Sequence, residues 1–139
     1  MNDLAQERIA VNGLAVAESI LEQTVDYVQQ RKAFGKEIAS FQNTRFKLAE
    51  METELTAARV YLDRALELHL DKQLDGVEAA KIKLFITDLQ CKVLDECVQL
   101  HGGYGYMWEY PVTRAWADSR AQRIYAGSNE IISRARLSR

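Results

Sequence analysis

The sequence predicts an all-α fold, an antiparallel four-helix-type bundle with an additional short C-terminal helix. The 139 residues are rich in Ala, Leu, Glu, Lys and Gln and include one Pro and seven Gly, a composition that favours helix. Three long segments carry apolar residues at the spacing of one helix face. Short connections between them place consecutive helices antiparallel. A single domain over residues 1–139 would bury roughly two-thirds of its unfolded surface.

The first two helices are predicted over residues 3–32 and 40–70. Asp3 and Gln6 are three residues apart and can form a capping box at the start of the first helix, and Gly35 is expected to stop it. Apolar positions in the second helix are spaced alternately by three and four residues, which is typical of a bundle seam. This seam comprises Leu48, Met51, Leu55, Ala58, Leu62, Ala65 and His69.

The remaining helices are predicted over residues 76–100, 111–123 and 129–137. Asp75 begins the sequence D-G-V-E, which can form a second capping box. The third helix is expected to end at H-G-G-Y-G, because glycine readily adopts the backbone conformation that terminates helices. Ser128 is the expected cap of the fifth helix, since its hydroxyl can accept a backbone N–H bond.

Composition and charge exclude several classes of function. The net charge of −2 gives no basic footprint for nucleic acid or for a membrane surface. The sequence contains neither a signal peptide nor an apolar run of about 18 residues, so we expect a soluble, non-exported protein. Cys91 and Cys97 would point about 120° apart on one helix, too far apart for a disulfide. With two histidines and no CxxC motif, no metal site is expected.

Glu7 is the first candidate for chemistry, because helical spacing places it on the apolar stripe of the first helix. This stripe comprises Glu7, Val11, Leu14, Glu18, Leu21, Val25 and Val28. A carboxylate that is partly removed from water is a better general base. The alternative is a first-turn glutamate that is stabilised by the helix dipole. Glu18 shares the stripe without any surrounding motif and is interpreted as structural.

Three further features have both a binding and a structural interpretation. The glycines of segment 99–105 would let a ligand approach the backbone, or they would simply stop the helix. His101 within them is expected to pack or to face water. Arg31 could bind phosphate through its planar guanidinium, or stabilise a helix C-terminus. An alternating aromatic run could line a pocket or pack a loop: Tyr104, Tyr106, Trp108 and Tyr110.

Taken together and in order, the motifs resemble the C-terminal helical domain of the acyl-CoA dehydrogenases. R-K-A-F-G at 31–35 is followed by Phe41-Gln42, then by Q-L-H-G-G-Y-G-Y at 99–106 and by I-Y-A-G-S-N-E-I at 124–131. The resemblance extends from Leu4 to Leu137. It implies FAD-dependent α,β-dehydrogenation of acyl-CoA thioesters, in which a carboxylate removes the α-proton and the β-hydrogen passes as hydride to flavin N5.

The resemblance also implies roles for individual residues. The cofactor contacts would come from Arg31, Phe34, Gln42, Gln99, Gly102, Gly103, Ser128 and Glu130. The first six would meet the FAD of a neighbouring subunit, and the last two the FAD of their own subunit. The acyl-CoA contacts would come from Arg8, Tyr125 and Gly127. Many members of the family carry the catalytic Glu where this chain has Ala126. L-A-Q-E-R resembles the segment that carries the base in isovaleryl-type and long-chain-type members, so Glu7 is the implied base.

Members of this family have an N-terminal helical domain and a middle β domain, which are absent from this sequence. We therefore expect the chain to be the last third of an enzyme and inactive by itself. The resemblance further implies a homo-oligomer, either a dimer or a dimer of dimers, and an electron-transfer flavoprotein as acceptor. The location would be the cytoplasm of a bacterium or the mitochondrial matrix of a eukaryote. The alternatives are a non-catalytic binding or oligomerisation module that lost its base with Ala126, and a bare helical scaffold.

Overall fold

The computed structural model describes residues 2–124, with side chains from Leu4 onward, and over this range it is a bundle of four helices. The helices are α1 (Asn2–Gln30), α2 (Gln42–Leu70), α3 (Gly76–His101) and α4 (Pro111–Gln122). The all-α prediction is therefore confirmed. The predicted fifth helix over 129–137 lies outside the described residues.

The core lies where α1, α2 and α3 meet, and α4 closes one side by packing on α3 and α1. The contact between α1 and α3 is the most extensive, and small residues line it. A Cβ built on Gly13 of α1 would lie 2.6 Å from Oε1 of Gln90 on α3. The fully buried aliphatic side chains around this contact include Leu14, Leu62, Ile82, Val93 and Leu94. Burying each of them contributes about 1.5–3 kcal/mol, so this cluster is the main source of stability.

The start of α3 follows the local chemistry that the sequence predicts, whereas α2 begins at Gln42 rather than at residue 40. The side chain of Asp75 caps α3 by accepting a hydrogen bond of 2.8 Å from the backbone N–H of Glu78. Pro111 occupies the first turn of α4, where its missing N–H costs no hydrogen bond. The central part of the α2 seam is confirmed, since its residues from Met51 to Ala65 are buried. Its ends differ from the prediction, because Leu48 is half-buried and the side chain of His69 is 48% exposed.

The end of α1 differs from the prediction. The helix ends at Gln30 rather than at residue 32, and a small antiparallel hairpin follows, formed by β1 (Lys32–Ala33) and β2 (Lys36–Glu37). Phe34 and Gly35 form its two-residue turn, with φ of 54° and 78°. Two consecutive positive φ values are typical of the turn that matches the twist of a hairpin. Gly35 therefore turns a hairpin instead of stopping a helix.

The cysteines and the acidic residues of the described region form neither a disulfide nor a metal centre. Cys91 and Cys97 are free thiols, and burial raises the pKa of Cys97 to about 11. Within residues 2–124, no three side chains among His, Cys, Asp and Glu are grouped so as to hold a metal ion. No helix in the same range is both long and apolar enough to cross a bilayer.

The glycines after α3 differ in what surrounds them. Gly102 has a φ of 63°, a conformation that side chains rarely adopt. A Cβ on Gly105 would collide with the backbone carbonyl oxygen of Val98. A Cβ on Gly103 would have no described atom within 4 Å. Packing within residues 2–124 thus requires a glycine at position 105, but it sets no such requirement at position 103.

Replacing Gly105 by Ala should destabilise the chain, because the added methyl group would overlap the Val98 carbonyl and lie 3.0 Å from Cβ of His101. Overpacking of this kind costs about 1–3 kcal/mol. Gly103→Ala is the matched control and should change the free energy of unfolding by less than about 0.5 kcal/mol. Urea unfolding of both variants measures the difference, and equal stabilities would contradict this account of the packing.

Candidate active site

The candidate residues form two groups at opposite ends of α1. Glu7 and Arg8 lie near its start, and Arg31 directly follows its last residue. At a rise of 1.5 Å per residue, the 24 residues between Glu7 and Arg31 correspond to about 36 Å along the helix. One dinucleotide is too short to extend over that distance.

Glu7 is buried beside the end of α2. The residue is 4% exposed, and its Oε2 lies 2.9 Å from Nδ1 of His69. The antiparallel arrangement accounts for this pairing, because α2 ends where α1 begins. The distance is that of an ion pair, but the contact does not have the geometry of a hydrogen bond. Oε2 is therefore buried without an aligned hydrogen-bond donor among residues 2–124. Arg8, the next residue, is exposed.

Glu18, the second carboxylate of the stripe, has different surroundings. It forms an ion pair with Arg59 of α2, and both side chains are more than a third exposed. Nε of Arg59 also donates to Glu18 across 3.4 Å, and Asp63 lies 3.8 Å from the same guanidinium. Glu18 thus joins α1 to α2 through a permanent cation, which agrees with the structural role expected for it.

The end of α4 lies toward the Glu7 end of the bundle. Oε1 of Gln122 would lie 3.2 Å from a Cβ on Gly13, and Gly13 is six residues from Glu7, about 9 Å along α1. Ile124, two residues after Gln122, is the last residue that the structure describes. The I-Y-A-G-S-N-E-I motif begins there. Its candidates lie outside the described residues: Tyr125, Ala126, Gly127, Ser128 and Glu130.

A cavity of about 680 Å³ occupies the opposite end of the bundle. It brings together four of the predicted cofactor contacts, which are Arg31, Gln99, Gly102 and Gly103. The other lining residues are Tyr27, Ile38, Leu100, His101, Tyr104 and Met107. Two predicted contacts do not line it. Phe34 is 98% exposed at the tip of the hairpin, and Gln42 is exposed at the first position of α2.

Aromatic rings form one wall of this cavity. His101 stacks on Tyr27 with ring centroids 4.3 Å apart, and Tyr110 meets the edge of His101 at 6.3 Å. The guanidinium of Arg31 lies 5.2 Å from the ring centroid of Tyr104. Burial lowers the pKa of His101, whose Nδ1 lies 2.8 Å from the carbonyl oxygen of Cys97. Flat rings, a fixed positive charge and open glycine backbone suit a ligand that has both a planar base and phosphates.

The aromatic run of residues 104–110 is divided between packing and exposure. Tyr104 and Tyr110 pack against each other with centroids 5.4 Å apart. Tyr106 is 78% exposed and Trp108 is 62% exposed. Of the two expectations for His101, packing is the one confirmed, since the residue is 7% exposed.

Sequence reasoning missed two residues of these groups. His69 was included in the bundle seam, but its contact with Glu7 was not anticipated. The available signal was its place at the last seam position of α2, which an antiparallel neighbour brings to the start of α1. Tyr27 donates to the carbonyl oxygen of His101 across 3.3 Å and supports the wall of the cavity. Nothing in its sequence context distinguishes Tyr27 from other residues of α1.

The fold and the two groups of residues define a helical bundle with a buried carboxylate at one end and a nucleotide-sized cavity at the other. A profile of the acyl-CoA dehydrogenase C-terminal domain matches residues 1–139, so the chain belongs to this family. It is 47% identical over 134 residues to the mitochondrial long-chain specific acyl-CoA dehydrogenase of Rattus norvegicus. The matched region covers 95% of this chain and 31% of that protein.

Solved structures of this family share the fold. An acyl-CoA dehydrogenase from Geobacillus kaustophilus gives a TM-score of 0.95 at 37% identity, covering 99% of this chain and 36% of that one. An acyl-CoA dehydrogenase from Bacillus anthracis, complexed with FAD, gives a TM-score of 0.92 at 28% identity, covering 99% of this chain and 27% of that one. The chain therefore spans about a third of the length of these relatives.

Replacing Glu7 by Gln should stabilise the isolated chain. The change removes a buried negative charge that faces a histidine rather than a fixed cation, while the amide oxygen can still accept from His69, so the free energy of unfolding should rise by about 1 kcal/mol at pH 7. Glu18→Gln is the matched control and should lower it by no more than about 1 kcal/mol, because it breaks a half-exposed ion pair. Thermal unfolding of both variants tests this. A Glu7→Gln chain less stable than the Glu18→Gln chain would show that the buried charge of Glu7 does not destabilise the fold.

Proposed function

We propose that the chain is the C-terminal domain of an FAD-dependent acyl-CoA dehydrogenase, in which Glu7 takes the α-proton of an acyl-CoA thioester. The observation that carries this proposal is the burial of Glu7 at the end of the bundle toward which α4 runs. The chain after α4 carries Ala126 in place of the more common glutamate of the family. A glutamate on α1 could therefore serve as the base in place of the one that Ala126 replaces.

The surroundings of Glu7 suit proton abstraction. The α-proton of a thioester is far too weakly acidic for a carboxylate in bulk water, so the base has to act where water is excluded. Glu7 meets this condition, with 6% of its side chain exposed. Hydrogen bonds to the thioester oxygen would stabilise the charge that develops there. Arg8, Tyr125 and Gly127 are the proposed acyl-CoA contacts of this chain.

The cavity near Arg31 suits a dinucleotide. Arg31 offers a planar cation for a diphosphate. Gly103 leaves open space at a position where packing does not require glycine. Gln99 and Gly102 complete the proposed contacts within the cavity, while Phe34 and Gln42 would reach the ligand from outside it. When bound, FAD supplies the hydride acceptor of the reaction, and this chain supplies position and charge.

The separation of about 36 Å between the two groups supports a homo-oligomer. A dinucleotide in the Arg31 cavity would not be the one beside Glu7 of the same chain, so each flavin would contact two chains. Ser128 and Glu130 would hold the flavin of their own subunit. We further propose that an N-terminal helical domain and a middle β domain complete each site, that the chain is inactive without them, and that an electron-transfer flavoprotein accepts the electrons.

In the flavin-containing holoenzyme, Glu7→Gln should abolish reduction of the flavin by acyl-CoA while leaving the flavin bound. The amide keeps the shape of the side chain but cannot accept the proton. Loss of a general base typically costs roughly 10²–10⁴-fold in rate, and more where no water can replace it. Anaerobic bleaching of the flavin absorbance is the measurement.

Two further variants complete that test. Ala126→Glu in the Glu7→Gln background should restore part of the bleaching rate, because the family commonly carries its base at that position. Glu18→Gln, on the same stripe, should bleach at the rate of the unmodified protein. If Glu7→Gln bleaches at that rate as well, Glu7 is not the base and the non-catalytic module is the better interpretation.

The isolated chain should self-associate, because large apolar side chains remain exposed to water on the surface of the folded monomer. Phe34, Phe46 and Trp108 are among them, at 98%, 64% and 62% exposure. Sedimentation equilibrium at high micromolar concentration should show dimers or larger species. A strict monomer under these conditions would contradict the prediction, and Phe34→Ser tests whether the hairpin tip takes part.

A further inference from the structure

We propose that His69 is the positioning residue of the candidate base, holding one oxygen of the Glu7 carboxylate so that the other is presented to the substrate. The proposal rests on the proposed function of Glu7. It adds a role for a residue of α2 that the resemblance does not include.

The two side chains differ sharply in their access to water. Glu7 has 6% of its side chain exposed, whereas His69 has 48% exposed. Oε2 of Glu7 is completely buried, and Nδ1 of His69 lies 2.9 Å from it. The ring is half-exposed, so its orientation is not fixed on all sides by packing. A buried acceptor that lacks a donor provides the driving force for aligning the imidazole N–H with Oε2.

The contact would divide the carboxylate into two oxygens with different tasks. A carboxylate accepts a proton on one oxygen, and the other can meanwhile accept a hydrogen bond. With Oε2 held by His69, Oε1 is the oxygen left to take the α-proton. Fixing the carboxylate in this way matters because a displacement of 1 Å at a reacting group can cost roughly 10²-fold in rate.

Histidine suits this position better than a permanent cation. Glu18 shows the alternative within the same chain, since Arg59 holds it with a fixed positive charge. A fixed cation stabilises the carboxylate anion and opposes its protonation. A neutral imidazole can donate from Nδ1 without adding net charge to the site. His69 can therefore orient the carboxylate without a fixed charge that would oppose proton uptake.

The first test measures the tautomer of His69 in the 139-residue chain by ¹⁵N NMR at alkaline pH. We expect the proton on Nδ1 in the unmodified chain and mainly on Nε2 in the Glu7→Leu variant, which has no acceptor. His101 is the other histidine of the sequence and serves as an internal reference. Its Nδ1 faces the carbonyl oxygen of Cys97 at 2.8 Å, so its proton should stay on Nδ1 in both proteins. An unchanged His69 tautomer in Glu7→Leu overturns the proposal.

The second test measures reduction of the flavin by acyl-CoA in the holoenzyme. His69→Leu should lower the limiting reduction rate by about 10- to 100-fold and leave the Kd of acyl-CoA within about twofold. His69→Asn should recover most of the rate, because its amide can donate from nearly the position of Nδ1. Arg59→Met is the matched control, since it removes the partner of the other stripe carboxylate, and it should leave the rate unchanged.

The outcomes separate this inference from the function on which it rests. If Glu7→Gln abolishes reduction and His69→Leu reduces at the unmodified rate, Glu7 stays the base and the role of His69 is wrong. If His69→Leu and Arg59→Met slow reduction equally, or if His69→Asn recovers nothing, His69 is only structural. If Glu7→Gln reduces at the unmodified rate, the proposed function itself fails, whatever the His69 variants do.

Discussion

The close packing of α1 on α3 is the constraint on which the other features of this domain depend. Small residues of α1, notably Ala10, Gly13 and Ala17, are buried, and Gly13 lies directly against Gln90 of α3. Because α1 is one continuous helix of 29 residues packed along α3, the side chains at its two ends have fixed positions relative to the rest of the bundle. Glu7 is thereby set against the end of α2, and Arg31 against the turn that follows α3.

Much of the fold could be predicted from the sequence because its signals are local. The 3-4 spacing of the α2 seam and the Asp75 cap each depend on residues within one helix or turn, and both were predicted correctly. The hairpin after α1 could not be predicted in this way. Its Phe-Gly turn lacks the Asn or Asp that usually marks two positive φ values. At the open end of the hairpin, the backbone N–H of Ile38 donates to the carbonyl oxygen of Arg31 across 2.8 Å.

The candidate site was predictable to the same extent. The burial of Glu7 agrees with its angular position on α1, but spacing alone does not decide it, because Val11 and Glu18 on the same stripe are more than a third exposed. The contact between Glu7 and His69 depends on the axial register of α2 against α1, which the sequence of neither helix alone specifies. The cavity at the other end gathers residues from α1, from α3 and from the glycine-rich turn. The motif order indicated these residues only through resemblance to a family, because residue spacing does not specify a cavity between distant segments.

The position of the two groups at opposite ends of α1 has a consequence for genetics. Suppose that each flavin is shared by two chains, as proposed, and that one allele lacks Glu7 while the other lacks Arg31. In a mixed dimer, one site combines both defects, and the other receives its base from the second chain and its Arg31 from the first. That site is intact. Two inactivating alleles of such a protein would therefore complement each other in a heterozygote, although neither would be active alone.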